Sequence, residues 1–244
     1  MLHVFYITIG YFIIGVVATF LANKEQEKEV QKQRWIKILT YFIIVHFILL
    51  LLLFIPELFI YFISFIVLIG AYEIIKVGKQ KGRTTALITA VLLYIIISIG
   101  FLLICMAVHP DALIDLFVIV FVFDGFSQLT GQLFGKRKLM PRVSPGKTLE
   151  GFGGGLVAAL LTAIIFIKPS PPVAGLLVIT TIICLSALAG DLMASFYKRI
   201  MGVKDFSNLI PGHCGVLDRF DSLIAAGFTG SLMLLVYFLL NPPT

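Results

Sequence analysis

Of the 19 Lys and Arg residues in this 244-residue chain, all but Lys168 fall in four stretches, and long apolar runs separate those stretches. The first holds Lys24, Lys28, Lys32, Arg34 and Lys37, and the second Lys76, Lys79, Lys81 and Arg83. The third holds Lys136, Arg137, Lys138, Arg142 and Lys147, and the fourth Lys198, Arg199, Lys204 and Arg219. Crossing roughly 30 Å of hydrocarbon takes about 20 apolar residues at a helical rise of about 1.5 Å. Runs of that length are predicted at about 1–22, 36–54, 58–76, 86–108, 112–134, 151–168, 173–197 and 220–240. With 59% hydrophobic and 13% charged residues, the chain reads as an all-α, polytopic integral membrane protein of about eight transmembrane helices. The positive-inside rule puts the four basic stretches in the cytoplasm and both termini on the non-cytoplasmic side. One span more or fewer would scatter the cations over both faces, so the asymmetry supports the count.

The net charge of +6 therefore belongs to the cytoplasmic face, where it suits anionic headgroups or phosphates and gives no reason to invoke nucleic acid. The first run lacks a basic leader and a small-residue cleavage site, so it reads as a span and not as a cleaved signal peptide. Cys105, Cys184 and Cys214 are odd in number and lie in or beside spans, which gives neither a disulfide framework nor zinc spacing. Residues 23–35 read as a solvated helical extension of the second span. The chain divides into an N-terminal set of about four spans, 1–110, and a C-terminal region, 111–244, that carries the polar motifs.

Ionisable groups are concentrated in 195–221: Ser195, Lys198-Arg199, Lys204-Asp205, Pro211, His213, Gly215 and Asp218-Arg219-Phe220-Asp221. Asp191, Ser195 and Lys198 fall at i, i+4 and i+7 and share a helix face. Asp218 opens the last span, and the intervening loop could bring it and Asp191 to one cation, since phosphate-bridging metals need hard oxygen ligands. The alternative is two structural ion pairs, Asp191 with Lys198 and Asp218 with Arg219. His213 is open to three readings: a general acid, a phosphate ligand or a satisfied turn residue. Glu73 and Lys76 read as an i, i+3 pair at a helix end.

A second polar stretch is GKRKLMPRVSPGKTLEGFGGG, residues 135–155. Its Pro-Gly-Lys-Thr is not a P-loop, because Pro141 stands where the first glycine is needed. Lys136, Arg137, Lys138 and Arg142 read as positive-inside anchors. Ser144 and Lys147 lie beside a glycine-opened helix start, whose free N–H groups suit an anion. Gly151 and Gly155 form a small-xxx-small pair suited to close helix packing, and such a face also permits a homodimer. Asp124 is an acid buried in the fifth span, which makes it either a site residue or a structural hydrogen-bond acceptor.

These strings resemble the phosphatidate cytidylyltransferase (CDP-diacylglycerol synthase) family over about residues 120–225. The resemblance runs through Phe123-Asp124-Gly125, at the place of the family's Asp-x-Gly element, Phe134-Gly-Lys136, Pro141-Arg-Val-Ser-Pro-Gly-Lys-Thr148 and Glu150-Gly-Phe152 to the order Ser195, Lys198-Arg199, Lys204-Asp205, Pro211, His213, Gly215, Asp218-Arg219 and Asp221. It implies a nucleotidyltransferase: phosphatidate attacks the α-phosphorus of CTP, giving CDP-diacylglycerol and pyrophosphate, at the cytoplasmic face of a bacterial-type inner or plasma membrane. It implies Mg²⁺ on Asp191 and Asp218, with Asp221 and Asp124 as further candidates, and room for a second cation. Lys147, Lys198, Arg199, Lys204 and Arg219 would neutralise the phosphates of CTP and lipid, while Ser144, Ser195 and His213 donate hydrogen bonds. Three places depart from the family pattern: Cys214 for a glycine, Tyr197 for an aliphatic residue, and Phe126-Ser127-Gln128 after Asp124. The alternatives are a CTP-dependent lipid kinase of the polyprenol or phytol type and, less well matched, a membrane transporter, which would place its polar residues near the midplane.

Overall fold

Proline and glycine mark where the apolar runs begin and end. The computed structural model describes residues 3–23, 27–167, 172–207, 209–210 and 215–241. The described residues form eight helices and one hairpin: α1 (His3–Ala22), α2 (Lys28–Phe54), α3 (Pro56–Lys81), α4 (Thr84–Ala107), α5 (Pro110–Phe134), β1 (Lys138–Met140), β2 (Ser144–Thr148), α6 (Leu149–Phe166), α7 (Val173–Ile200) and α8 (Leu217–Leu240). Pro56 and Pro110 stand in the first turns of α3 and α5, where proline's missing N–H costs nothing. Gly82 ends α3 with φ of 64°, a left-handed cap that a side chain would strain, and Lys79 and Lys81 occupy the last turn beside the negative helix end.

The eight helices correspond one to one with the eight predicted spans, so the chain is a polytopic all-α membrane protein. Seven helices, α2 to α8, are long and apolar enough to cross a bilayer; in α1 the described apolar stretch is Val4–Phe20, which is shorter. Several boundaries move outward because polar turns continue the helices past the apolar runs. Helix α2 starts at Lys28, as the solvated extension predicts, and α3 runs on through Lys81. Helix α8 starts at Leu217, which draws Asp218-Arg219-Phe220-Asp221 into its first turns. The antiparallel hairpin, with Lys138 opposite Thr148 and Met140 opposite Ser144, is a feature the hydropathy pattern did not foresee.

Helix α5 is the most enclosed, with Leu113, Ile114 and every residue from Phe117 to Phe123 buried. It meets α6 through glycines. A Cβ on Gly155 would lie 2.0 Å from Ser127 Oγ and 2.6 Å from the Phe123 carbonyl, and one on Gly151 would lie 2.6 Å from the Ser127 carbonyl. The small-residue face of α6 is thus filled by α5 within the same chain and is not an open surface for a second copy. Helices α7 and α8 approach the same way, since a Cβ on Gly190 would lie 2.4 Å from that of Ala225 and 2.7 Å from the Asp221 carbonyl. These two tight crossings bring the acids of α5, α7 and α8 around one space.

Candidate functional site

Thr148 sets the geometry of the site. Its extended backbone and its hydroxyl, which accepts from Gly151 N at 3.0 Å, cap the start of α6. Beside it the Glu150 carboxylate accepts from the N–H groups of Lys136 (3.0 Å) and Arg137 (3.1 Å), so both arms of the hairpin are pinned to α6. Strand β2 then carries Ser144, Gly146 and Lys147 over a cavity of about 390 Å³.

That cavity is walled by α5, the hairpin, α7 and α8. Of the predicted site residues, Asp124, Ser144, Lys147, Asp191, Asp218, Arg219 and Asp221 line it. Lys147 Nζ is ion-paired with Asp191 Oδ2, and Ser195 Oγ donates to Asp191 Oδ1 at 3.2 Å. Lys198 is ion-paired with Asp218 Oδ1, and both side chains are nearly buried. The other oxygen, Asp218 Oδ2, accepts from Phe206 N (3.0 Å) and Gly215 N (2.9 Å). The ion pairs therefore cross between elements. Asp191 takes the hairpin lysine in place of its own helix's Lys198, and Asp218 takes Lys198 in place of its neighbour Arg219. The sequence offers only local partners, whereas the fold brings β2 and α7 onto one cavity.

Lys147 lies outside the spans. Burial disfavours its ammonium, but the Asp191 and Asp124 carboxylates outweigh that, so its pKa stands above the usual lysine value.

Arg219 is turned so that its guanidinium stacks 5.0 Å over the Tyr41 ring of α2, and its buried Nε has no hydrogen-bond partner among the described residues. Asp221 is buried and accepts from Ser222 N at 2.7 Å. Among the described residues, neither Asp124 nor Asp221 is in an ion pair.

Besides Lys198, three predicted residues among those described stand off the cavity. Ser195 supports Asp191 from behind. Arg199 donates Nε to the Val143 carbonyl (3.1 Å) and Nη1 to the Val203 carbonyl (3.2 Å), which ties the hairpin to the end of α7. Lys204 is exposed on the following loop. Pro211, His213 and Cys214 lie outside the described residues.

The structure adds residues that sequence reasoning passed over. Gln128 and Gln132 line the cavity below Asp124, and Ser127 and Ser222 join them. The signal was present: Asp124, Gln128 and Gln132 repeat at i, i+4 and i+8, a polar stripe on an otherwise apolar helix. Glu73 is a correction. It makes no surface pair with Lys76; it is fully buried on α3, accepts from Val216 N (3.0 Å) and Leu217 N (2.8 Å), and takes the Ser207 hydroxyl. Tyr197, where an aliphatic residue was expected, donates to the Ile74 carbonyl at 2.9 Å and stacks on Phe206, joining α7 to α3.

Among the described residues, no three acidic, His or Cys groups converge as a preformed metal centre. Oxygen donors on one polar cavity nonetheless suit Mg²⁺, which binds through one or two carboxylates and completes its shell with water and phosphate.

Residues 111–238 match the sequence profile of a family described as the cytidylyltransferase family. A phosphatidate cytidylyltransferase of Haemophilus influenzae is 46% identical over 121 residues, covering 47% of this chain and 42% of the relative. One of Bacillus subtilis is 44% identical over 126 residues, covering 50% and 45%. One of Staphylococcus saprophyticus is 44% identical over 111 residues, covering 44% and 43%. The matched stretch spans less than half the length of each of these relatives.

Proposed function

The chain belongs to the cytidylyltransferase family, and from that premise we propose that it transfers the cytidylyl group of CTP to phosphatidate, giving CDP-diacylglycerol and pyrophosphate. The observation that carries this reading is the cavity in which Lys147 from the hairpin and Arg219 from α8 face Asp124, Asp191 and Asp221 from three helices. Cations there suit phosphates and acids suit a divalent ion, and both stand where a nucleotide and a lipid phosphate could meet. The concentration of cations at this end supports reading it as the cytoplasmic end, as the positive-inside rule expects.

The lipid phosphate is already an anion, so no strong base is needed, and the site works by positioning and neutralising charge. Arg219 has its Nε unspent and Lys147 is held protonated, so both remain available to phosphate oxygens. Ser144 on β2 and Gln128 and Gln132 on α5 supply hydrogen-bonding groups around the same space. Asp191 would hold Mg²⁺ together with Asp221 or Asp124. Asp218, proposed from the sequence as the second ligand, is nearly buried and held by Lys198 and by the N–H groups of Phe206 and Gly215, whereas Asp191 stays about 29% exposed, so the main work of Asp218 is to fix the loop before α8. Bound Mg²⁺ supplies neutralisation of the pyrophosphate leaving group. Lys198 and Arg199 act indirectly, one through Asp218 and the other through the hairpin backbone.

The test is to follow two labels in detergent-purified protein supplied with phosphatidate or a polyprenol. Label from the α-phosphate of CTP entering the lipid fraction supports cytidylyl transfer. Label from the γ-phosphate entering the lipid instead would overturn it in favour of a lipid kinase.

A further inference from the structure

Glu73 lies on α3, well before residue 111 where the family match begins, yet it reaches the loop that carries the site residues. A charged side chain within a span is costly, and this one is fully buried. Its partners repay the cost. Helix α8 has no side-chain cap of its own at Val216, so its first N–H groups would be orphaned in a buried setting. Glu73 Oε1 accepts from Val216 N and Oε2 from Leu217 N, which places a carboxylate at the positive end of the helix.

The same carboxylate takes the Ser207 hydroxyl from the far arm of the loop. Asp218 does the matching work one residue away on each side, accepting from Phe206 N and Gly215 N. Two acids thus divide the loop ends between them: 206 and 215 to Asp218, and 207, 216 and 217 to Glu73. Gly215 sits between them, since a Cβ there would lie 2.8 Å from Asp218 Oδ2 and 3.0 Å from each Glu73 carboxylate oxygen. The neighbouring Ile74 carbonyl receives Tyr197, so α3 grips α7 at the same level.

We propose that Glu73 is a positioning residue for the site: from α3 it fixes the first turn of α8, and with it Asp218, Arg219 and Asp221, while tying Ser207 on the preceding loop to the start of that helix. Its effect on turnover rests on the cytidylyltransferase reading; its hold on the loop does not, and the two are measured separately. The exposed Lys204 serves as a trypsin site in that loop, while Lys198 is buried. In Glu73→Gln, cleavage after Lys204 should quicken about tenfold, kcat should fall about tenfold and the KM for CTP should rise several-fold as Arg219 drifts. Loss of folded protein alone would lower the maximal rate without moving KM. Ser207→Ala, which removes only the loop-side contact, should shift cleavage and KM the same way by less, and it serves if Glu73→Gln does not fold.

Unchanged cleavage and unchanged KM in both variants would overturn the proposal. Faster cleavage with unchanged kinetics would overturn the positioning role. Faster cleavage in a protein whose wild type transfers no cytidylyl group would support the loop latch and sink the functional reading instead.

Discussion

Lys147 on the hairpin is ion-paired with Asp191 on α7, so a loop cation and a span acid share one cavity wall. Removing the cation leaves Asp191 facing phosphate with nothing to offset it. Losing one preorganised charge-stabilising group commonly costs about 10²–10³ in rate. Lys147→Met should therefore lower kcat by about 10²-fold, measured as CDP-lipid formed per folded enzyme. An unchanged kcat would remove Lys147 from the mechanism.

The same pair fixes a pH dependence. The folded pKa of Lys147 is raised above its unfolded value, so the stabilisation is fully present below the ordinary lysine pKa of about 10.4 and is lost as pH climbs through the folded value. The difference in Tm between wild type and Lys147→Met should stay level from about pH 6 to pH 9 and narrow only above about pH 10.4. Thermal unfolding in detergent checks this, and a gap that closes near neutrality would contradict the pairing.

Gly215 is caught between Asp218 and Glu73. Forcing extra atoms into a packed site typically costs about 1–3 kcal/mol. Gly215→Ala should lower Tm by an amount matching that cost and reduce kcat as well, because the added methyl displaces the loop that Asp218 anchors. Far-ultraviolet melting together with turnover separates the two effects.

Glycines on α6 make a paired test. A Cβ on Gly155 meets Ser127 Oγ and the Phe123 carbonyl, whereas one on Gly153 meets nothing within 4 Å. Gly155→Ala should destabilise by splaying α5 from α6. Gly153→Ala should be neutral or stabilising by up to about 1 kcal/mol, the helix preference of alanine over glycine. Equal Tm shifts in the two variants would contradict the α5–α6 packing.

Arg199→Lys keeps the charge but not the two-point grip on Val143 and Val203. Hydrogen bonds from a charged donor are worth about 1.5–3 kcal/mol. The hairpin should loosen, with trypsin cutting at the exposed Arg137 and Lys138 more readily than in wild type. Unchanged cleavage would mean that the hairpin is held by α6 alone.

Hydropathy and charge placement made the helices legible, because a span must be apolar and about 20 residues long whatever it packs against. Asp191, Asp218 and Lys147 stood out as ionisable groups in an apolar chain. Their partners did not, since the Lys147–Asp191 and Lys198–Asp218 pairs join elements whose apposition depends on glycine crossings such as Gly190 on Ala225. Glu73 is hidden for a related reason: beside Lys76 it looks like a surface pair, and only the tertiary fold brings it the N–H groups of α8. The hairpin was hidden because its strands, three and five residues long, carry no clear alternation. Gln128 and Gln132 were legible from their spacing to Asp124 but were outweighed by the charged strings.

The most direct measurement compares wild type with Asp191→Asn for lipid-bound CDP and released pyrophosphate, with CTP, phosphatidate and Mg²⁺ in detergent. The account predicts equal amounts of the two products from wild type, none when Mg²⁺ is chelated, and at least about a 100-fold loss in a folded Asp191→Asn. An Asp191→Asn protein that turns over as fast as wild type would contradict it.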